Sequence, residues 1–193
     1  MKKTRSHELR DEVRNKIWPD EDAWTGENEV GFFQAPRTLP LILVLLSMKA
    51  VSGKLNPSRV YLELWARHMG GGIIEMKHEG DHAYAAGYTS RRGVRTWRDN
   101  MALLEANGFI KTKKAGNQQY KYVFLVHPTA VVEKLKRQDK VDSHWLETYE
   151  LRQLETKERT FAERVKAKKE AVKAAQKVVP MTPQKAAVKK VSA

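Results

Sequence analysis

The chain has 193 residues, 41% of them hydrophobic, which suits one ordinary domain with a single core and extensions. With 36 Lys and Arg against 23 Asp and Glu, its formal net charge is +13, a balance that favours a polyanionic partner. The absence of cysteine excludes disulfides, thiolate catalysis and cysteine-based zinc sites, and it suits a reducing cytoplasm.

Residues 1–30 are polar and charged, with Trp18 and Trp24 as their large apolar anchors. They predict either a polar arm, extended or a short helix, whose tryptophans dock on the domain, or a disordered segment. The start is basic but no apolar run follows, so it does not read as a secretory signal. The most apolar run, LPLILVLLSM at 39–48, is too short to span a bilayer, and no membrane partner is expected.

That run opens a first helix predicted over 39–51, with Pro40 in its first turn and Gly53 beyond its end. It is apolar almost all round and should be the central buried helix. A second helix is predicted over 58–69. Asn56 or Ser58 caps it, Val60, Tyr61, Leu64, Trp65 and Met69 form its apolar face, and Gly70-Gly71-Gly72 stops it. The connection 73–88 reads either as a short hairpin turning at Glu79-Gly80-Asp81 or as an irregular insertion.

The stretch 89–110, TSRRGVRTWRDNMALLEANGFI, predicts the third helix, with Thr89 or Ser90 as its cap and Asn107-Gly108 as its end. At 100° per residue Val94, Trp97, Met101 and Leu104 share one sector, and Arg91, Arg92 and Arg95 share the opposite one. Arg98 lies at the margin. One face anchors the helix and the other presents guanidinium groups, which form bidentate bonds to guanine and clamp phosphates.

Beyond Gly108 the period changes from helical to alternating. Runs at 109–113 and 119–126 flank a basic Gly/Asn turn, which predicts a hairpin. A short helix is expected over 129–137, with Val131, Val132 and Leu135 inward. Residues 143–177 are rich in Glu, Lys, Arg and Ala and hold no Pro or Gly, so they predict one long charged helix. Its broken apolar stripe is Trp145, Leu146, Tyr149, Leu154, Phe161, Val165 and Val172. Residues 178–193 predict a disordered basic tail.

Three helices followed by a basic hairpin, and above all LLEANGFIKTKKAGNQQYKYVFLV at 103–126, resemble the winged helix-turn-helix superfamily over roughly 37–137. The implied fold class is α+β, mostly α. The chain then divides into an arm (1–30), a winged domain (31–137), a charged helical extension (138–177) and a basic tail (178–193).

The resemblance implies a third helix in the major groove of double-stranded DNA and a hairpin, the wing, against the backbone or minor groove. Carried over residue by residue, Thr89, Ser90, Arg91, Arg92, Arg95, Thr96 and Arg98 face DNA, and Lys111, Lys113, Lys114, Asn117, Gln118 and Lys121 belong to the wing. The 70–88 connection is longer than the usual turn of that motif. GFFQAPRTLPLILVLL, YLELWARH and GVRTWRDNM are also similar to uncharacterised proteins of bacterial plasmids and mobile elements. That likeness implies a transcriptional regulator or a replication or partition factor, in the cytoplasm and associated with plasmid or nucleoid.

One winged domain reads few base pairs, so a homodimer through 143–177 is expected. His78 and His82 in HEGDH suggest a metal site, but Gly80-Asp81 between them reads as a turn, and no metal is expected. Gly70-Gly71-Gly72 lacks the spacing of a phosphate loop. Neither an enzyme constellation nor a cofactor or small-molecule site stands out. A protein-docking module is the alternative to DNA binding, and an RNA adaptor a third reading.

Overall fold

The computed structural model describes residues 5–19, 31–68 and 71–178, and the chain forms two compact units, Met1–Phe32 and Phe33–Ala193. In the first unit α1 (Arg5–Ile17) realises the short-helix alternative. Leu9, Val13 and Ile17 recur every four residues along it, and all three are more than half exposed. Trp18 is 57% exposed. Trp24 lies outside the described residues.

The second unit is mostly helical, with one small antiparallel sheet: an α+β arrangement in which α dominates. The apolar run forms α2 (Leu39–Ser47), whose Ile42, Leu45 and Leu46 are fully buried. It does not continue to residue 51. The backbone turns extended at Met48, and a separate turn, α3 (Lys49–Ser52), follows. Ser47 Oγ donates to the Val44 carbonyl at 2.7 Å, the local side-chain bond that competes with helix continuation. Packed on α2 is α4 (Ser58–Arg67), through Val60, Tyr61 and Leu64. Met69 lies outside the described residues.

The 73–88 connection is neither a hairpin nor irregular. It holds a strand, β1 (Ile73–Glu75), and a helix, α5 (Glu79–Ala85). Glu79 and Asp81 occupy the first turn of α5, where the helix dipole favours carboxylates, so the Gly-Asp pair opens a helix rather than making a turn. Next come α6 (Gly93–Asn107), β2 (Ile110–Ala115) and β3 (Gln118–Leu125), the last two joined by a two-residue turn at Gly116-Asn117. β3 is the middle strand, with β1 on one side and β2 on the other, in the order β1-β3-β2. Its register pairs Ile74 with Val123 and Thr112 with Val123, and Ile74, Val123, Leu125 and Ile110 turn into the core.

The helix expected over 129–137 is α7 (Pro128–Arg137), capped by the His127 side chain, which accepts from Thr129 N. Residues 143–177 are two helices, α8 (Ser143–Thr156) and α9 (Phe161–Val178). The chain breaks at Lys157, which adopts a left-handed φ of 54°. Thr160 and Glu163 then form a capping box, Thr160 N donating to Glu163 Oε2 at 2.8 Å and Glu163 N to Thr160 Oγ1 at 3.3 Å. That box, T-F-A-E, is a start signal inside a stretch that propensity alone reads as continuous helix.

α8 belongs to the same core. Its Trp145 and Tyr149 are buried and stacked at 5.0 Å, and Trp145 Nε1 donates to the Leu41 carbonyl at 2.9 Å. Leu154 and Val172 from the expected stripe are exposed. Residues 179–193 of the expected tail lie outside the described residues. No helix among the described residues is long and apolar enough to cross a membrane.

Candidate nucleic-acid interface

α6 is anchored as its periodicity requires. Trp97, Met101 and Leu104 are fully buried, and Val94 packs partly buried against them. Two asparagines lock the same side. Asn100 Nδ2 donates to Tyr88 Oη at 3.1 Å, and Asn107 Nδ2 to the Val51 carbonyl at 3.1 Å. Gly108, in a left-handed conformation, ends the helix.

The start of α6 differs from expectation. Its first residue is Gly93, the N-cap position belongs to Arg92, and neither Thr89 nor Ser90 caps it. The close approach of the preceding turn explains this. A Cβ at Gly93 would lie 2.1 Å from the Tyr88 carbonyl oxygen, and Gly93 N donates to the Ser90 carbonyl at 2.8 Å. Only glycine lets the chain turn so tightly into the helix. Arg91 and Arg92 therefore sit in the turn, not in the first helical turn, next to exposed Thr89 and Ser90.

Arg91, Arg92 and Arg95 are exposed, and none has an ion-pair partner among the described residues. Arg98 is different. Its Nε donates to Glu79 Oε2 at 2.6 Å, so it ties α6 to α5. Thr96 is half-buried, and its hydroxyl turns back to the Arg92 carbonyl at 3.4 Å.

The hairpin divides similarly. Lys111, Lys113, Lys114 and Asn117 are exposed, and the three lysines have no ion pair among the described residues. Gln118 Nε2 donates to the Lys77 carbonyl at 2.8 Å. Lys121 Nζ is 2.8 Å from Glu75. The Lys121 ammonium holds the Glu75 carboxyl below its usual range, and Glu75 in turn raises Lys121. Glu105 joins helix to hairpin, accepting from Thr112 N at 3.1 Å and Thr112 Oγ1 at 2.6 Å.

Beneath this surface lies a polar cluster that sequence inspection missed. The buried Glu63 carboxylate accepts from His82 Nδ1 at 3.0 Å and from Arg67 Nε at 2.6 Å. It links α4 to α5, the helix that packs on α6. The spacing Glu63-x-x-x-Arg67 was available as a signal, but its partner His82 lies 19 residues away. His78 is exposed, whereas His82 is buried, so the two histidines of HEGDH do not converge. Among the described residues no group of three His, Asp or Glu side chains is placed to hold a metal ion.

A groove of about 1170 Å³ lies between α7, α8 and α9, lined by residues including Thr129, Lys136, Tyr149, Gln153, Phe161 and Lys169. None of the expected DNA-facing residues borders it. Comparison with protein-family models, curated proteins and solved structures finds no match for this chain.

Proposed function

We propose that the protein binds duplex DNA through a winged helix-turn-helix domain, with α6 as its recognition helix and β2–β3 as its wing. The observation that carries the proposal is the division of α6. Trp97, Met101 and Leu104 are buried on one side, while Arg91, Arg92 and Arg95 stand exposed, with no ion pair among the described residues, at its start and on its other side. Support also comes from the element order. α5 and α6 pack together, joined by the short 86–92 turn, and the hairpin follows directly. The partner of α6 in the motif is then α5, and the long 70–88 connection supplies that helix and the third strand.

In this proposal Arg95 and its neighbours read base edges, each good bidentate contact contributing about 1–3 kcal/mol of discrimination. The wing lysines act on phosphates and supply affinity and salt dependence rather than sequence reading. Arg98, Gln118 and Lys121 hold the fold and add little to contact. The biological role we favour is a regulator, or a replication or partition factor, of a plasmid or mobile element. Two copies on a repeated site would extend the sequence read. Since Trp145 and Tyr149 are buried in their own core, pairing through this region would use the exposed Leu154 and Val172 sides of α8 and α9.

Selection from a random duplex pool tests the proposal. Recovery of a duplex motif with dyad or direct repeats supports it. No enrichment above a salt-sensitive background would overturn it in favour of a protein-docking module.

A further inference from the structure

The outer face of the β-sheet carries a different chemistry from α6. Along β3, Val123 and Leu125 are buried, whereas Phe124 is 45% exposed and Tyr122 is partly exposed. The strand register sets Ile73, Phe124 and Lys111 side by side, and Glu75, Tyr122 and Lys113 in the next row. Ile73, Lys111 and Lys113 are exposed as well. Alternate residues of a strand lie about 7 Å apart on one face, and adjacent strands about 5 Å apart. The sheet therefore presents two aromatic rings in line on its middle strand, with two lysines in line beside them on an edge strand.

These rings are not absorbed by packing among themselves. Neither Tyr122 nor Phe124 forms an aromatic pair with another ring among the described residues. Phe124 lies directly over the chain at Gly72, where an added Cβ would come within 3.0 Å of its Cε2. The ring thus lies close against the Gly72 backbone at the β1 side. Glu75, the acidic residue in these rows, is tied to Lys121 at 2.8 Å, which offsets its repulsion of an anion.

We propose that this sheet face binds single-stranded nucleic acid, unpaired bases stacking on Tyr122 and Phe124 while Lys111 and Lys113 meet the phosphates. A duplex offers base edges in its grooves and leaves such rings nothing to stack on. A single strand offers a π-face at every base, and its backbone runs beside a basic margin. Stacking of this kind tolerates any base, so binding is weakly selective in sequence and strongly dependent on salt. The site is separate from α6 but shares Lys111 and Lys113 with the wing of the duplex proposal, so the aromatic rings are what distinguish the two.

The test uses the full chain with labelled oligo(dT) and oligo(U) of ~12 nucleotides, within the span of known single-strand sites, and a blunt mixed-sequence duplex. The double variant Tyr122→Ala/Phe124→Ala should lose at least tenfold in affinity for one or both single strands and less than twofold for the duplex. The oligonucleotide that loses most identifies the sugar the site accepts. Phe124→Leu, which keeps apolar bulk without a π-face, should lose single-strand affinity too, and Arg95→Ala should not. Wild-type affinity in the folded double variant, full binding by Phe124→Leu, or an equal loss on strand and duplex would each overturn the proposal. So would loss of self-association in place of oligonucleotide binding, which would assign the face to a second copy of the chain.

Discussion

Around α4, β1 and α5 carboxylates and cations are paired: buried Glu63 takes Arg67 and His82, half-buried Glu79 takes Arg98, and exposed Glu75 takes Lys121. A few residues further along, Arg91, Arg92, Arg95 and Lys114 are exposed and have no ion pair among the described residues. The residue types are the same in the two regions. What separates them is whether a carboxylate lies within reach. Paired Arg98 and Lys121 each tie one element to another, whereas Arg91, Arg92 and Arg95 stand open to solvent. The contrast divides side chains that look equivalent in sequence, since Arg95 and Arg98 are three residues apart and belong to different groups.

The largest effect should come from the paired region. Glu63→Ala leaves His82 buried without its carboxylate and should lower stability by about 2–4 kcal/mol in denaturant unfolding. Duplex binding at low temperature should persist, because Arg91, Arg92 and Arg95 are untouched. An unchanged stability would show that the buried cluster is not what joins α4 to α5.

Next is Arg95→Ala against Arg98→Ala. Loss of Arg95 should weaken binding to a selected duplex by about 1–3 kcal/mol with stability unchanged. Loss of Arg98 should instead lower the melting temperature slightly and leave affinity within about twofold, since an exposed ion pair contributes about 0–1 kcal/mol. Equal losses of affinity would erase the distinction drawn between paired and unpaired cations.

An acid titration probes a third kind of site. His127 caps α7 through its ring nitrogen, and burial, with Arg164 nearby, pushes its pKa down to about 4 from 6.5. The unfolded chain thus takes up a proton before the folded one. The contribution is complete above about pH 6.5 and is lost as the pH falls toward about 4. The size should be about 1–2 kcal/mol after allowance for solvent screening of the half-buried ring. His127→Asn keeps a capping acceptor and should flatten this part of the stability profile.

The smallest effect is at the wing. Lys114→Ala should weaken all duplexes alike and reduce the slope of log affinity against log salt by about 1. A loss confined to one sequence would mean that the wing reads bases.

Much of the fold around this division was legible in the sequence, and the rest had physical reasons not to be. The buried side of α6 followed from the spacing of Trp97, Met101 and Leu104, because a helix face repeats regularly. The hairpin followed from alternation around Gly116-Asn117. β1 did not, since three residues are too few to show a period and their partner strand lies some fifty residues on. α5 was hidden by Gly80-Asp81, which reads as a turn until the acidic first turn is weighed. Which arginine was paired could not be read at all. Glu79 reaches Arg98 across 19 residues, and only the packing of α5 on α6 brings them together.

The most direct measurement is a repeat of the random-duplex selection with Arg95→Ala. The motif recovered with the wild-type chain is expected to reappear with one base preference relaxed and the others kept. Recovery of the full wild-type motif, at unchanged affinity, would contradict the assignment of α6 as the element that reads DNA.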